Sequence, residues 1–226
     1  MITRHTGLLI RDEFLGFAKS KVMLVLWVVL PIAAVLVVFL QQSQATNSPE
    51  FPVSYITSLM VSSLAGTIAA VMVAVDIIGE RSRKVYELFF VRPVRPEAIL
   101  WAKLLAVSIS VSIACAIAMI LALVVDGLRG ESTGFLLGET VAAFGSAVGV
   151  VAISAAVGIF FGVVSRSVLV AVILILYLGQ NLVLIPLIPT LLQLDPTLHW
   201  IGWVGTALAT IGLTVGSGVI FRRAEL

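Results

Sequence analysis

The sequence predicts an all-α membrane protein, a six-transmembrane-helix bundle preceded by an amphipathic helix at the membrane interface. Three observations predict it. Of 226 residues, 60% are hydrophobic and only 12% charged, where a soluble domain carries roughly 25% charged residues. The apolar residues fall in successive runs long enough for a bilayer core, which needs about 20 residues of helix per crossing. The lysines and arginines gather on one side of those runs.

The spans are expected at Val22 to Leu40, Val53 to Gly79, Ile99 to Val125, Gly138 to Val164, Val168 to about Ile185, and Trp200 to Phe221. The connections between them are too short for a folded soluble domain, so residues 1–226 read as one transmembrane domain. Over residues 1–21, Leu8, Leu9, Ile10, Phe14, Leu15 and Phe17 alternate with Arg4, Arg11, Asp12, Glu13, Lys19 and Lys21. That mixture suits a helix lying in the interface with its cations toward anionic headgroups; the other reading is a basic flank to the first span. A cleaved signal is a poorer reading of the same end, because the apolar run of Val22 to Leu40 exceeds the roughly 7 to 15 residues of a signal core.

Orientation follows from the cations. With the N-terminus in the cytoplasm, Arg4, Arg11, Lys19, Lys21, Arg81, Arg83, Lys84, Arg92, Arg95, Lys103, Arg166, Arg222 and Arg223 fall inside, and of the 14 cations only Arg129 falls outside. This obeys the positive-inside rule and requires an even number of spans, with both termini cytoplasmic and the chain multi-pass in the inner, or plasma, membrane. The net charge of +2 is too small to suggest a nucleic-acid partner. Cys115 lies in an apolar run and reads as a packing residue. Neither His5 nor His199 has a neighbouring histidine or cysteine, so no metal site is expected.

The most informative stretch joins the second and third spans, from Glu80 to Glu97. Charges there alternate with Val85, Tyr86, Leu88, Phe89 and Phe90, enough for a short helix with an apolar face beyond the bilayer, and Pro93 and Pro96 then stop that helix and stiffen the turn into the third span. A stiff connector transmits displacement, whereas a Gly/Ser linker absorbs it. On residue chemistry alone, the loop is either a docking element or a basic anchor for topology.

The run Glu80-Arg81, Glu87-Leu88, Pro93-Val94-Arg95, Ile99 and Lys103 resembles the cytoplasmic loop of ABC-2-type permeases, the membrane-spanning subunits of ABC transporters. The resemblance extends to a glutamate in the N-terminal helix (Glu13), a proline in the first span (Pro31), six spans and a basic tail at Arg222 and Arg223. Only the Phe89-Phe90 pair departs from it, standing where the family often carries leucine. It implies that residues 80–97 form a coupling helix docking on a separate ATP-binding subunit through Glu80, Arg81, Tyr86, Glu87, Leu88, Phe89, Pro93 and Arg95. It also implies two copies of that subunit per complex, a second permease chain making a homodimer, and export as the direction. ATP and magnesium would then be held by the partner, with no cofactor on this chain.

The chain offers no engine of its own. Gly-Lys never occurs, which excludes a Walker-type phosphate loop, and H-E-x-x-H, C-x-x-C and G-x-S-x-G are missing as well, so no catalytic role is expected. In the fifth span, Tyr177, Gln180 and Asn181 stand at membrane depth, where amides are costly unless bonded or facing a cavity. They are candidates for a translocation path or a subunit seam; an interhelical hydrogen bond is the plainer alternative. Pro186 and Pro189 end that span, and residues 186–199 resemble the re-entrant outer segment of the family.

Small residues recur at every fourth position of the second span, at Ser54, Ser58, Ser62, Gly66, Ala70 and Ala74, and the pairs Gly145/Gly149, Gly158/Gly162 and Gly212/Gly216 have the same spacing. They are expected to form close seams within the chain. Asp76, near the cytoplasmic end of the second span, is expected to meet water or a nearby cation such as Arg81. The function expected is that of an ABC permease. Two other classes stay open: a secondary transporter or channel needing no ATPase, and a membrane scaffold or assembly factor that transports nothing.

Overall fold

The computed structural model describes residues 2–44, 53–83, 96–128, 133–188 and 200–224, and within them every regular element is helical. In chain order these are α1 (Ile2–Ala18), α2 (Lys21–Gln44), α3 (Val53–Ser82), α4 (Pro96–Leu128), α5 (Thr133–Val164), α6 (Val168–Leu174), a π-helical turn (Ile175–Gly179), α7 (Gln180–Val183), a 3-10 turn (Ile185–Leu187) and α8 (Trp200–Ala224). Among the described residues, five stretches are long and apolar enough to cross a bilayer by themselves, and six if α1 and α2, bent by 64° where they meet, count together as one span. The protein is an all-α, multi-pass membrane protein.

The bend between α1 and α2 has a local cause. Ser20 begins the second helix as its cap, its Oγ accepting the Met23 N–H at 3.1 Å, while the Ser20 N–H still bonds back to the Phe17 carbonyl at 3.0 Å. The chain therefore leaves one helix and enters the next within two residues. α1 packs against α4, with Glu13 and Phe14 partly buried and Phe17 buried, while Arg11 and Asp12 are exposed. α2 runs on through Pro31, which is buried inside the helix.

The tightest seam joins α3 to α5, and the small residues make it. A methyl group on Gly158 would stand 2.7 Å from the Ala70 Cα, one on Gly162 would stand 3.0 Å from the Ala74 Cα, and one on Gly66 would meet the Ser154 Oγ at 2.6 Å. Side chains of any size here would hold the two helix backbones apart, so small residues at each fourth position let them touch and gain dispersion contacts that lipid cannot supply as well. Gly145 and Gly149 seat α8 and the end of the fifth span in the same way, with Trp203 against the first and Pro186 and Thr206 against the second. Gly212 and Gly216 differ from expectation. A methyl group at either would meet nothing within 4 Å, so among the described residues this pair makes no seam.

Element boundaries shift outward. α4 begins at Pro96 rather than Ile99, because a proline at the first helical position loses no hydrogen bond and has its φ already set for helix. Pro96 therefore starts the helix; the stop it was expected to give a preceding helix falls on residues 84–95, outside the described residues. α5 begins at Thr133 rather than Gly138, and α3 continues to Ser82. The fifth span, Val168–Leu187, is continuous but contains a π-helical turn at Ile175–Gly179.

Candidate functional site

The connector between α3 and α4 leaves from Glu80–Ser82 and returns at Pro96–Glu97, and both roots are fastened to other helices. The principal fastening is an ion cluster around Lys103. Lys103 lies eight residues into α4 and its side chain is only 1% exposed. Its Nζ donates to a carboxylate from each of three residues: Asp76, Glu80 at 2.8 Å, and Glu13, whose oxygens lie at 3.3 and 3.4 Å. An ammonium has three N–H bonds, so each has its own acceptor. The Phe17 ring lies 5.9 Å below the same nitrogen, near the limit for a cation–π contact.

The local reason is helical spacing. Asp76 and Glu80 are four residues apart on α3 and so share one face, turned toward α4. Arg81, one residue further and about 100° around the helix, points the other way. Its Nη1 donates to the Val163 carbonyl at 3.1 Å, in the last turn of α5, where helix carbonyls lack internal partners and a cation is favoured. Asp76 is thus paired with Lys103 and not with Arg81. At the returning root, Glu97 in the first turn of α4 receives Arg222 from the last turn of α8 at 2.8 Å. Each charge there suits its helix end, but both side chains are well exposed, so the pair is a weak tie.

Of the residues that sequence reasoning placed at the docking loop, Glu80 and Arg81 are therefore at its anchored root. Tyr86, Glu87, Leu88, Phe89, Pro93 and Arg95 lie outside the described residues. Sequence reasoning missed the cluster itself by counting Lys103 among the cations that set orientation. The signal was there in two parts: a lysine two turns inside an apolar helix, and a carboxylate pair at i and i+4 facing it.

A second polar feature sits in the fifth span. The Gln180 Nε2 donates to the Thr67 Oγ1 of α3 at 2.6 Å. This pair lies at the edge of an open groove of about 670 Å³ between α2, α3 and the fifth span, otherwise lined by side chains such as Ala33, Val37, Met60 and Leu64. Asn181 points elsewhere, exposed, with its amide donating to the Tyr177 carbonyl at 3.1 Å, and the Tyr177 side chain is 78% exposed. Gln180 thus faces the chain's own groove, while Tyr177 and Asn181 face away from the bundle. Of the segment 186–199, only residues 186–188 are described; residues 189–199 lie outside the described part.

Residues 31–206, more than three quarters of the chain and inclusive of the whole α3–α4 connector, match the family described as ABC-2 family transporter protein. The chain belongs to that family. No curated protein matches it. As an ABC-2 family member it is a membrane permease of an ABC transporter, a transport component that in this family generally works with an ATP-binding subunit and is not normally catalytic itself. α1 precedes the matched region, yet it supplies Glu13 to the Lys103 cluster, so the ABC-2 core and its N-terminal helix form one packed unit.

Proposed function

We propose that this ABC-2 permease is the membrane half of an ATP-driven exporter, and that residues 80–97 are the element on which a separate ATPase acts. The observation that supports this most is the fastening of both roots of the connector. Lys103 ties the departing root to α1 and α4, Arg81 ties it to α5, and Glu97 ties the returning root to α8. A push on a loop so anchored moves helices; a push on a loosely hung loop moves only the loop.

In this reading the connector lies in the cytoplasm with both termini, and the chain sits in the inner membrane. Two ATPase copies, each holding ATP and magnesium, serve two permease chains. One chain makes a thin wall with an open groove on its flank, and a second copy facing it encloses a path. Gln180 then faces the path, and Tyr177 and Asn181, costly if left in lipid, reach toward the seam between copies. The lining is mostly apolar, which favours an amphiphilic cargo over an ion.

The expected test result is specific. Glu87→Lys and Pro93→Gly, each expressed with a candidate ATP-binding subunit that copurifies with the parent chain, reduce the amount of that subunit that copurifies by about tenfold or more, while the permease itself is still made and folded. Unchanged copurification in both variants removes the coupling role from this loop.

A further inference from the structure

The fifth span runs as one stretch, Val168–Leu187, but its winding is not uniform. α6 and α7 are regular, but between them Ile175–Gly179 winds as a π-helical turn. Such turns add a residue to a helix, weaken its hydrogen-bond ladder and collect at functional sites. On either side of this one the span is held by a different hydrophobic cluster. Ala171 and Ile175 are buried with Ala70, Ala74, Ile78 and Val157, whereas Val183 is buried with Val150 and Ile153, joined by Ile185 and Leu187. Among the described residues, Leu182 packs against both clusters.

The turn itself is thinly supported. Leu176, Tyr177 and Leu178 are all exposed, and the turn faces inward through Ile175 and Gly179, the latter so close to α5 that a methyl group there would stand 2.8 Å from the Val157 Cγ1. The Gln180–Thr67 side-chain hydrogen bond fastens the far side of the turn to α3. Asn181 meanwhile gives its amide to the Tyr177 carbonyl, supplying that backbone oxygen with a local donor within the irregular stretch.

We propose that Ile175–Gly179 is a hinge and the Gln180–Thr67 hydrogen bond its latch, so that the segment from Gln180 to Leu187 swings as a unit away from α3 while Val168–Leu174 stays fixed to the bundle. The swing widens the groove between α2, α3 and the fifth span at the edge where Gln180 sits. The hinge is a property of the chain alone and does not require the ATPase.

The test uses the full chain in lipid nanodiscs, with Cys115→Ala removing the native thiol and spin labels on Leu169→Cys and Leu184→Cys, two exposed sites on opposite sides of the turn. Their backbones are about 22 Å apart along the helix, within range of pulsed electron resonance. The unmodified turn gives two distance populations, and Gln180→Leu raises the minor one about threefold, the weight expected from loss of one interhelical hydrogen bond in a bilayer. Deleting Leu178 removes the extra residue while leaving both flanking registers in place, and it collapses the distribution to one narrow distance. A single narrow distance in the unmodified chain overturns the hinge, and a distribution unmoved by Gln180→Leu overturns the latch. Gln180→Leu keeps the test valid if the deletion variant does not fold.

Discussion

Lys103→Met is expected to lower the stability of the bundle by about 2–3 kcal/mol, read as loss of resistance to thermal or SDS unfolding in detergent at neutral pH. Removing one partner from a buried ion pair costs roughly 3–5 kcal/mol, because the charge left behind has no counter-ion. Here the ammonium is buried, but its carboxylates are 23%, 25% and 36% exposed for Glu13, Glu80 and Asp76, so water screens part of the loss and the lower range applies. The methionine would leave three carboxylates converging on an apolar side chain. Asp76→Asn added to Lys103→Met is therefore expected to recover about 1 kcal/mol by relieving that repulsion, whereas Asp76→Asn alone is destabilising. A single Lys103→Met variant as stable as the parent would mean that the cluster does not hold α1, α3 and α4 together.

A change at the α3–α5 seam is expected to be as damaging for a steric reason. In Gly158→Ala the added carbon would stand 2.7 Å from the Ala70 Cα and 2.8 Å from its carbonyl carbon. Those are backbone atoms, unable to rotate aside, so the two helices must part along the seam and lose contact with their neighbours. Overpacking of this kind costs about 1–3 kcal/mol, and the upper end applies where the obstruction is backbone. Gly158→Val is expected to prevent folding. Gly212→Ala supplies the control, since its added carbon would meet nothing within 4 Å, and its unfolding should match the parent within about 0.5 kcal/mol. Equal effects at Gly158 and Gly212 would remove the seam from the account.

Most of the fold was legible because a bilayer imposes a length and a composition on whatever crosses it. Runs of apolar residues located the spans to within a few residues, and the four-residue spacing of Gly66, Ala70 and Ala74 announced the helix that would lie against them. Spacing alone did not say which small residues find a partner, and Gly212 and Gly216, with the same pattern, face open space. The start of α4 was set three residues late, because a proline at the first helical position extends a helix beyond its apolar run.

The Lys103 cluster was half legible. Asp76 and Glu80 at i and i+4 mark one face of α3 from sequence alone, but Glu13 is ninety residues from Lys103, and no local rule brings such a pair together. Local reasoning expected Asp76 to meet water or a nearby cation such as Arg81; the cation is Lys103, because Arg81, five residues on, lies about 140° around the helix. The π-helical turn was not legible, since Ile175–Gly179 is composed of residues that any helix accepts. Its winding follows from two surfaces that the span must satisfy at once, the Ala70–Ile78 cluster on one side and the Val150–Ile153 cluster on the other.

The central claim is that residues 80–97 are gripped by a separate nucleotide-hydrolysing subunit on the inner side of the membrane. It is tested most directly by one accessibility measurement, with a single cysteine in place of Tyr86 on the Cys115→Ala background and a membrane-impermeant maleimide. The account predicts no labelling in intact cells, strong labelling in inverted vesicles stripped of the ATPase, and loss of that labelling when the ATPase is added back. Labelling in intact cells, or labelling of inverted vesicles that the ATPase leaves unchanged, would contradict it.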